Sequence, residues 1–93
     1  MMFQWINKQG VRSSEGYTLQ RIDRFHYDYA EGDRLLTFVV EAGIGTEELS
    51  LPTRLHWNAP NEEEAIDPEK YQEIRRRISE ALDFMGIQHY FSE

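Results

Sequence analysis

FHYDYAEGDRLLTFVVE, residues 25–41, contains two strand-like runs on either side of a short polar link. In the first run aromatic and polar residues alternate, which predicts a β-strand with Phe25, Tyr27 and Tyr29 on one face. The second run is almost continuously apolar, as in a central strand that is covered on both sides. Gly32 in the link can adopt the positive φ that a tight turn needs. The stretch therefore predicts a β-hairpin near the centre of a sheet.

Further strand-like segments lie on both sides of this hairpin. EGYTLQRID, residues 15–23, precedes it directly, and FQWIN, residues 3–7, with a turn at Gly10 predicts a short N-terminal strand. Downstream, residues 49–57 alternate between apolar and polar side chains, which is typical of a strand with one buried face. Pro52 cannot donate a ladder hydrogen bond, so we expect this strand at a sheet edge.

One amphipathic helix is predicted near the C-terminus. Asp67 can cap its N-terminus, and Pro68 occupies the first helical position. Gly86 stands where a left-handed residue commonly ends a helix. The apolar stripe follows helical spacing through Tyr71, Ile74, Ile78, Leu82 and Met85.

Together these elements predict an α+β fold. We expect an antiparallel β-sheet of four to six strands with one C-terminal amphipathic helix packed on one face. The 93 residues fit a single domain, residues 1–93. The closing IQHYFSE can add a last strand or pack against the core. The other sheet face is then open to solvent or to a partner.

Composition narrows the class of function. The formal net charge is −7 at pH 7, which argues against nucleic-acid binding because the phosphate backbone would be repelled. The chain contains no cysteine, which excludes disulfides and thiolate metal sites. Neither a secretory signal pattern nor an apolar run long enough to span a membrane is present, so we expect a cytoplasmic protein without a membrane partner.

His26 and Asp28 form the most obvious candidate for chemistry. On a strand they point to the same side, with Cβ atoms about 7 Å apart. They are either a general base with its orienting carboxylate or the solvated face of a strand. No nucleophile motif or glycine-rich phosphate loop lies nearby, which favours the solvated face. His26, His56 and His89 show no spacing typical of a metal site, so we expect neither metal nor cofactor.

A run of carboxylates lies in the loop before the helix. It comprises Glu62, Glu63 and Glu64, followed by Asp67 and Glu69. One explanation is a solvated loop that leads into a helix N-terminus, where the helix dipole favours negative charge. The alternative is a docking surface for a basic protein.

Three consecutive arginines occupy positions 75–77 of the predicted helix. They spread over about 200° of its circumference. Arg75 flanks the apolar stripe, and Arg76 and Arg77 are predicted on the outer side. Glutamates at helical spacing favour ion pairs within the helix over an anion-binding site.

In layout the chain resembles the small cytoplasmic immunity proteins of bacterial polymorphic-toxin and contact-dependent-inhibition systems. The resemblance rests on the opening WINKQGVRSSEGYTLQ, the hairpin of residues 25–41 and the terminal amphipathic helix. It also rests on the small size, acidity and lack of cysteine. The resemblance implies tight binding to a cognate toxin domain and blockage of its active site or substrate path. It assigns no role to any individual residue.

The leading hypothesis is a non-catalytic protein-binding module, an immunity or inhibitor protein that occludes a basic toxin domain. Its predicted contact surface combines the polar side of the sheet with the acidic loop: His26, Asp28, Arg54, His56, Glu62, Glu63 and Glu64. One alternative is a homo-oligomeric structural protein, such as a homodimer that pairs through an open face or edge strand. The other is a small enzyme that uses His26 and Asp28.

Overall fold

The computed structural model describes residues 2–92, which form seven strands and one helix. The strand order in the sheet follows the chain, and every neighbouring pair is antiparallel except the last, which is parallel. In chain order the elements are Phe3–Asn7 (β1), Gly10–Ser13 (β2), Tyr17–Asp23 (β3), His26–Glu31 (β4), Arg34–Ala42 (β5), Glu47–Ser50 (β6), Pro68–Phe84 (α1) and His89–Phe91 (β7).

The α+β class and the single helix are confirmed, but the sheet differs from the prediction of four to six antiparallel strands. It has seven strands and is mixed. The strand β2, with only four residues, is too short for its alternation to be recognised. The strand β7 lies parallel to β6 because α1 carries the chain back along the sheet before it pairs, as parallel neighbours require.

The hairpin of β4 and β5 forms the middle of the sheet as predicted. Gly32 has φ 60° in its turn, and Tyr29 pairs with Leu36 across the two strands. Tyr27 and Tyr29 are fully buried on the face that α1 covers, which we call the inner face. Phe25 does not share that face and is 55% exposed, because β4 begins only at His26.

One face of β5 is open, contrary to the expectation that both would be covered. Leu36, Phe38 and Val40 point to the core and are buried. Leu35 and Val39, on the opposite side, remain exposed. The continuous apolar run therefore reflects one fully buried face and one outer face that holds exposed aliphatic side chains.

The strand predicted over residues 49–57 ends early, at Ser50. Leu51, Leu55 and Trp57 still bury their side chains, but from an irregular segment in which the alternation breaks down. Trp57 stacks on Tyr29 with ring centroids 6.4 Å apart. The segment then returns to the sheet, where the Asn58 N–H donates to the Leu35 carbonyl at 2.7 Å. This hydrogen bond occupies the edge of β5 beyond the end of β6.

The helix α1 begins and ends as the sequence predicts. The Asp67 side chain accepts a hydrogen bond from the Lys70 N–H at 2.8 Å, and Gly86 has φ 76° just after the last turn. The residues that α1 buries against the sheet are Ile74, Ile78, Ala81 and Leu82. Within residues 2–92, no helix is long and apolar enough to cross a membrane.

Candidate functional site

The predicted contact residues fall into two separate places. His26 and Asp28 lie on β4, opposite Val39 and Thr37 of β5 on the outer face of the sheet. The other five lie in the segments before α1, where they line a shallow groove. We call this groove the acidic groove, and its lining residues are 53–56 and 62–66.

His26 has its carboxylate partner at the end of β3. Its Nδ1 lies 2.9 Å from Asp23 Oδ1, and the same oxygen accepts the Phe25 N–H at 2.8 Å. A bulge between Arg21 and Asp23 brings Asp23 opposite His26. The Phe25 N–H, and then the His26 side chain, hold the pKa of Asp23 below its usual value. Of the two alternatives for His26 and Asp28, the orienting carboxylate is therefore not Asp28, because the carboxylate that His26 contacts is Asp23.

Asp28 belongs to a different hydrogen-bonded chain on the outer face. Its Oδ1 accepts from Thr37 Oγ1 at 2.5 Å, and Thr37 Oγ1 in turn accepts from Asn58 Nδ2 at 2.9 Å. These hydrogen bonds attach Asn58, which lies between the two stretches that line the acidic groove, to the middle of the sheet. The carboxylate of Asp28 therefore has a structural role in the fold.

The acidic groove brings together Arg54, His56 and the three glutamates of the loop before α1. It encloses about 480 Å³ and is lined by Thr53, Arg54, Leu55, His56, Glu62, Glu63, Glu64, Ala65 and Ile66. The side chains exposed there include Arg54, His56, Glu62 and Glu63. Five of the seven predicted contact residues thus share one concave surface.

Glu64 differs from the two glutamates before it. One of its oxygens receives Arg34 Nε at 2.8 Å and Arg34 Nη2 at 2.5 Å, and the other receives Asn61 Nδ2 at 2.5 Å. Arg34 holds the pKa of Glu64 below its usual value. Within residues 2–92, Glu62 and Glu63 have no ion-pair partner. Glu62 and Glu63 are therefore the carboxylates of the groove without an ion pair, and together they outweigh the single positive charge of Arg54 on the same surface.

The charged groups that lie between the helix and the sheet were not predicted from the sequence. Arg77 was expected on the outer side of α1, yet its side chain is only 14% exposed. It donates to the Tyr29 hydroxyl at 3.1 Å and lies over the Tyr17 ring at 4.9 Å. A signal was present, because Arg77 follows the buried Ile74 by three residues and precedes Ala81 by four.

Ser79 and His89 have a geometry that resembles a nucleophile and its base. Ser79 Oγ lies 2.7 Å from His89 Nε2, while His89 Nδ1 lies 2.9 Å from the Ile87 carbonyl. A carbonyl can only accept, so His89 Nδ1 carries a proton, and in the neutral imidazole Ser79 Oγ then donates to Nε2. The pair joins β7 to α1, and Ser79 does not line the neighbouring groove at His89.

The part of the chain that the structure describes contains no arrangement of side chains suited to a metal ion. No group of three or more histidine, aspartate or glutamate side chains is placed to hold an ion there. His26, His56 and His89 lie respectively on β4, beside the acidic groove and on β7. The three histidines are thus distributed over separate parts of the fold.

No protein-family model matches this chain, and neither a curated protein nor a solved structure matches it. The resemblance to immunity proteins therefore stays a prediction from layout. What the chain binds has to be inferred from its surfaces and their charge.

Proposed function

We propose that this chain is a non-catalytic protein-binding module that docks a basic segment of another protein in the acidic groove. The observation that carries the proposal is the pair of exposed carboxylates of Glu62 and Glu63, which have no ion-pair partner within residues 2–92. They lie at a concave surface beside apolar groups of Leu55 and Ile66. A concave surface with a few polar groups and an apolar floor is typical of recognition sites.

Electrostatics supports a basic partner. The chain carries a net charge of −7, and such a charge accelerates encounter with a cationic protein while it repels acidic ones. Arg34 already neutralises Glu64, and this ion pair attaches the loop before α1 to β5. Glu62 and Glu63 are then available to meet lysine or arginine side chains of the partner.

The same features favour an inhibitor among protein-binding modules. A cationic site that binds phosphate groups is complementary in charge to two exposed carboxylates that have no ion-pair partner. In this proposal the chain occludes such a site on a toxin domain by charge and by bulk, and it acts in the cytoplasm. The resemblance in layout to immunity proteins supports this more specific proposal.

The alternative of a small enzyme receives less support from the geometry. His26 is engaged by Asp23, and Asp28 accepts a hydrogen bond from Thr37 on an outer sheet face. A general base and its orienting carboxylate need to converge on one substrate position. These two side chains have separate partners and do not line the acidic groove.

The test begins with the partner that co-purifies with the tagged chain from its own cells at native expression level. We expect reversal of both free charges, Glu62→Lys with Glu63→Lys, to lower the association rate constant about tenfold at low ionic strength. The reversal should also weaken the dependence of that rate on salt, because the steering charge is lost.

A matched control separates the groove from the overall charge. Glu15 and Glu41 are exposed residues outside the groove, so Glu15→Lys with Glu41→Lys changes the net charge by the same amount. We expect this variant to retain most of the wild-type association rate. If both double variants behave alike, or if the groove variant associates like the wild type, the proposed docking site is wrong.

A further inference from the structure

The strand β1 lies at the edge of the sheet and has one neighbour among the described strands, β2. The Ser14 N–H donates to the Met2 carbonyl at 2.8 Å. Met2 therefore directs its backbone groups towards β2. Because the N–H and C=O groups of successive residues in an antiparallel strand point to alternate sides, the backbone of Gln4 also faces β2. Phe3 and Trp5 must then direct their N–H and C=O groups towards the open edge. This part of β1 can accept another strand.

Aromatic side chains adjoin this open edge. The Phe3 ring stacks on Phe84 of α1 at 5.2 Å, and Trp5 lies 5.7 Å from the same ring. Trp5 is nevertheless 48% exposed and Phe84 42% exposed. Ile6 is exposed as well. A strand added to β1 would therefore cover an apolar surface in addition to satisfying backbone groups.

The edge lacks the usual features that prevent strand addition. Exposed edges are generally protected by proline, by charged residues or by a bulge. The strand Phe3–Asn7 contains neither proline nor an ionisable side chain, and its bulge lies only at the far end, between Trp5 and Asn7. Residues before that bulge form a regular strand.

We propose that β1 pairs antiparallel with β1 of a second copy of the chain. A two-fold axis at Gln4 places Phe3 opposite the partner's Trp5, so the outward backbone groups of both residues bond to each other. Such an interface is self-complementary, as closed dimers require. It also joins two copies, each with a net charge of −7, through their uncharged strands. A basic partner would find no carboxylate in this strand.

The proposed register can be tested by a single cysteine, because the chain has none of its own. In Gln4→Cys the two thiols would face each other across the axis with Cβ atoms about 4.5–5.5 Å apart, close to disulfide geometry. We expect mild oxidation to convert most of this variant to a covalent dimer. Non-reducing electrophoresis measures the converted fraction.

The control for the cysteine test is Arg12→Cys. Arg12 pairs with Gln4 from β2 and is likewise exposed, so it shares the same surroundings. In the proposed dimer the two Arg12 positions are separated by three strand spacings, about 14 Å, which no disulfide spans. We expect this variant to stay monomeric after oxidation. Equal cross-linking of the two variants would overturn the proposed register.

Sedimentation equilibrium tests the dimer without a cross-link. We expect reversible dimers of the wild type, and several-fold weaker association of Gln4→Lys because two ammonium groups would face each other across the axis. This change makes each chain less acidic, so general repulsion cannot explain a weaker dimer. Gln9→Lys, in the turn after β1, is the matched control and should associate like the wild type. A wild type that is monomeric at its highest soluble concentration would refute the proposal.

Discussion

Tyr27 and Tyr29 are successive inner-face residues of β4, and both are fully buried. Tyr27 donates to Glu47 Oε1 at 3.0 Å, and the other oxygen of Glu47 receives Arg21 Nη1 at 2.6 Å. Both charged side chains are 16% exposed. This Tyr27 cluster, formed by Tyr27, Glu47 and Arg21, joins β3, β4 and β6. All of its members belong to the sheet.

The Tyr29 cluster is built from the same residue types but joins different layers. Tyr29 donates to Glu31 Oε1 at 2.9 Å and accepts from Arg77 Nη1 at 3.1 Å. Glu31 also receives Lys70 Nζ at 2.6 Å. Arg77 and Lys70 belong to α1, so this cluster, formed by Tyr29, Glu31, Arg77 and Lys70, holds the helix on the sheet.

The two clusters therefore differ in how far each charge depends on a single partner. Glu47 receives one cation, whereas Glu31 receives Lys70 and lies 3.7 Å from Arg77. A partly buried carboxylate that loses its only cation keeps the cost of desolvation without compensation. A carboxylate with two cations retains part of that compensation when one is removed. Removal of its arginine should consequently destabilise the Tyr27 cluster more than the Tyr29 cluster.

The largest effect is expected for Arg21→Ala. This change leaves Glu47 with the Tyr27 hydroxyl and no cation, and it also removes the guanidinium that lies 5.3 Å from the Tyr27 ring centroid. We expect the free energy of unfolding to fall by about 3 kcal/mol. Urea denaturation measures it. A loss below that of Arg77→Ala would contradict the comparison.

A smaller loss, about 2 kcal/mol, is expected for Arg77→Ala because Lys70 still pairs with Glu31. Arg76→Ala is the matched control, since Arg76 is the adjacent helical residue and forms an i,i+4 pair with Glu80 at 2.9 Å in which the arginine is 51% and the glutamate 28% exposed. Such surface pairs contribute at most about 1 kcal/mol. Similar losses for the two arginines would show that the position of Arg77 between helix and sheet adds no stability.

The contrast between the clusters also explains which parts of the fold can be predicted from the sequence. The helix and the central hairpin were predicted because their signals are local: the stripe of α1, its Asp67 cap, Gly86 and the turn at Gly32. The clusters depend on where distant elements meet. Arg21 continues the inner-face alternation of Tyr17 and Leu19, but its partner Glu47 is 26 residues away.

In the candidate site, too, the features set by neighbouring residues were predicted, and the features set by contacts between distant residues were not. The adjacent glutamates 62–64 were predicted as one acidic surface, and they do line one groove. The separate role of Glu64 could not be read from three identical neighbours, because Arg34 reaches it from β5. The partner of His26 was missed for a related reason. A single bulged residue in β3 decides which carboxylate faces it.

Alkaline pH should act on both clusters through their tyrosines. Burial, and then the charge of Glu47, raises the pKa of Tyr27 from 10.0 to about 12, and burial raises that of Tyr29. The unfolded chain then loses its tyrosine protons first, so stability is complete below pH 10 and declines as pH rises towards 12. Urea midpoints across this interval should fall steadily.

Phenylalanine variants isolate Tyr27 and Tyr29 from Lys70 and Tyr17, whose raised pKa values act in the same direction. We expect Tyr27→Phe with Tyr29→Phe to flatten the alkaline decline in midpoint. Tyr90→Phe, at an exposed tyrosine of β7, should leave the decline unchanged. If the double variant declines as steeply as the wild type, other groups are responsible for the alkaline loss.

The smallest effects are expected when each tyrosine hydroxyl is removed separately near neutral pH. Tyr27→Phe removes one donor to Glu47, which keeps Arg21, so we expect a loss of about 1 kcal/mol. Tyr29→Phe removes a donor to Glu31 and also the acceptor of Arg77, whose buried Nε already has no partner among the described residues. We therefore expect about 1.5 kcal/mol for Tyr29→Phe, measured by urea denaturation. For the tyrosines the larger loss is thus expected in the Tyr29 cluster, whereas for the arginines it is expected in the Tyr27 cluster. The reason is that the Tyr29 hydroxyl has two charged partners, Glu31 and Arg77. A larger loss for Tyr27→Phe would show that the number of partners does not set the cost.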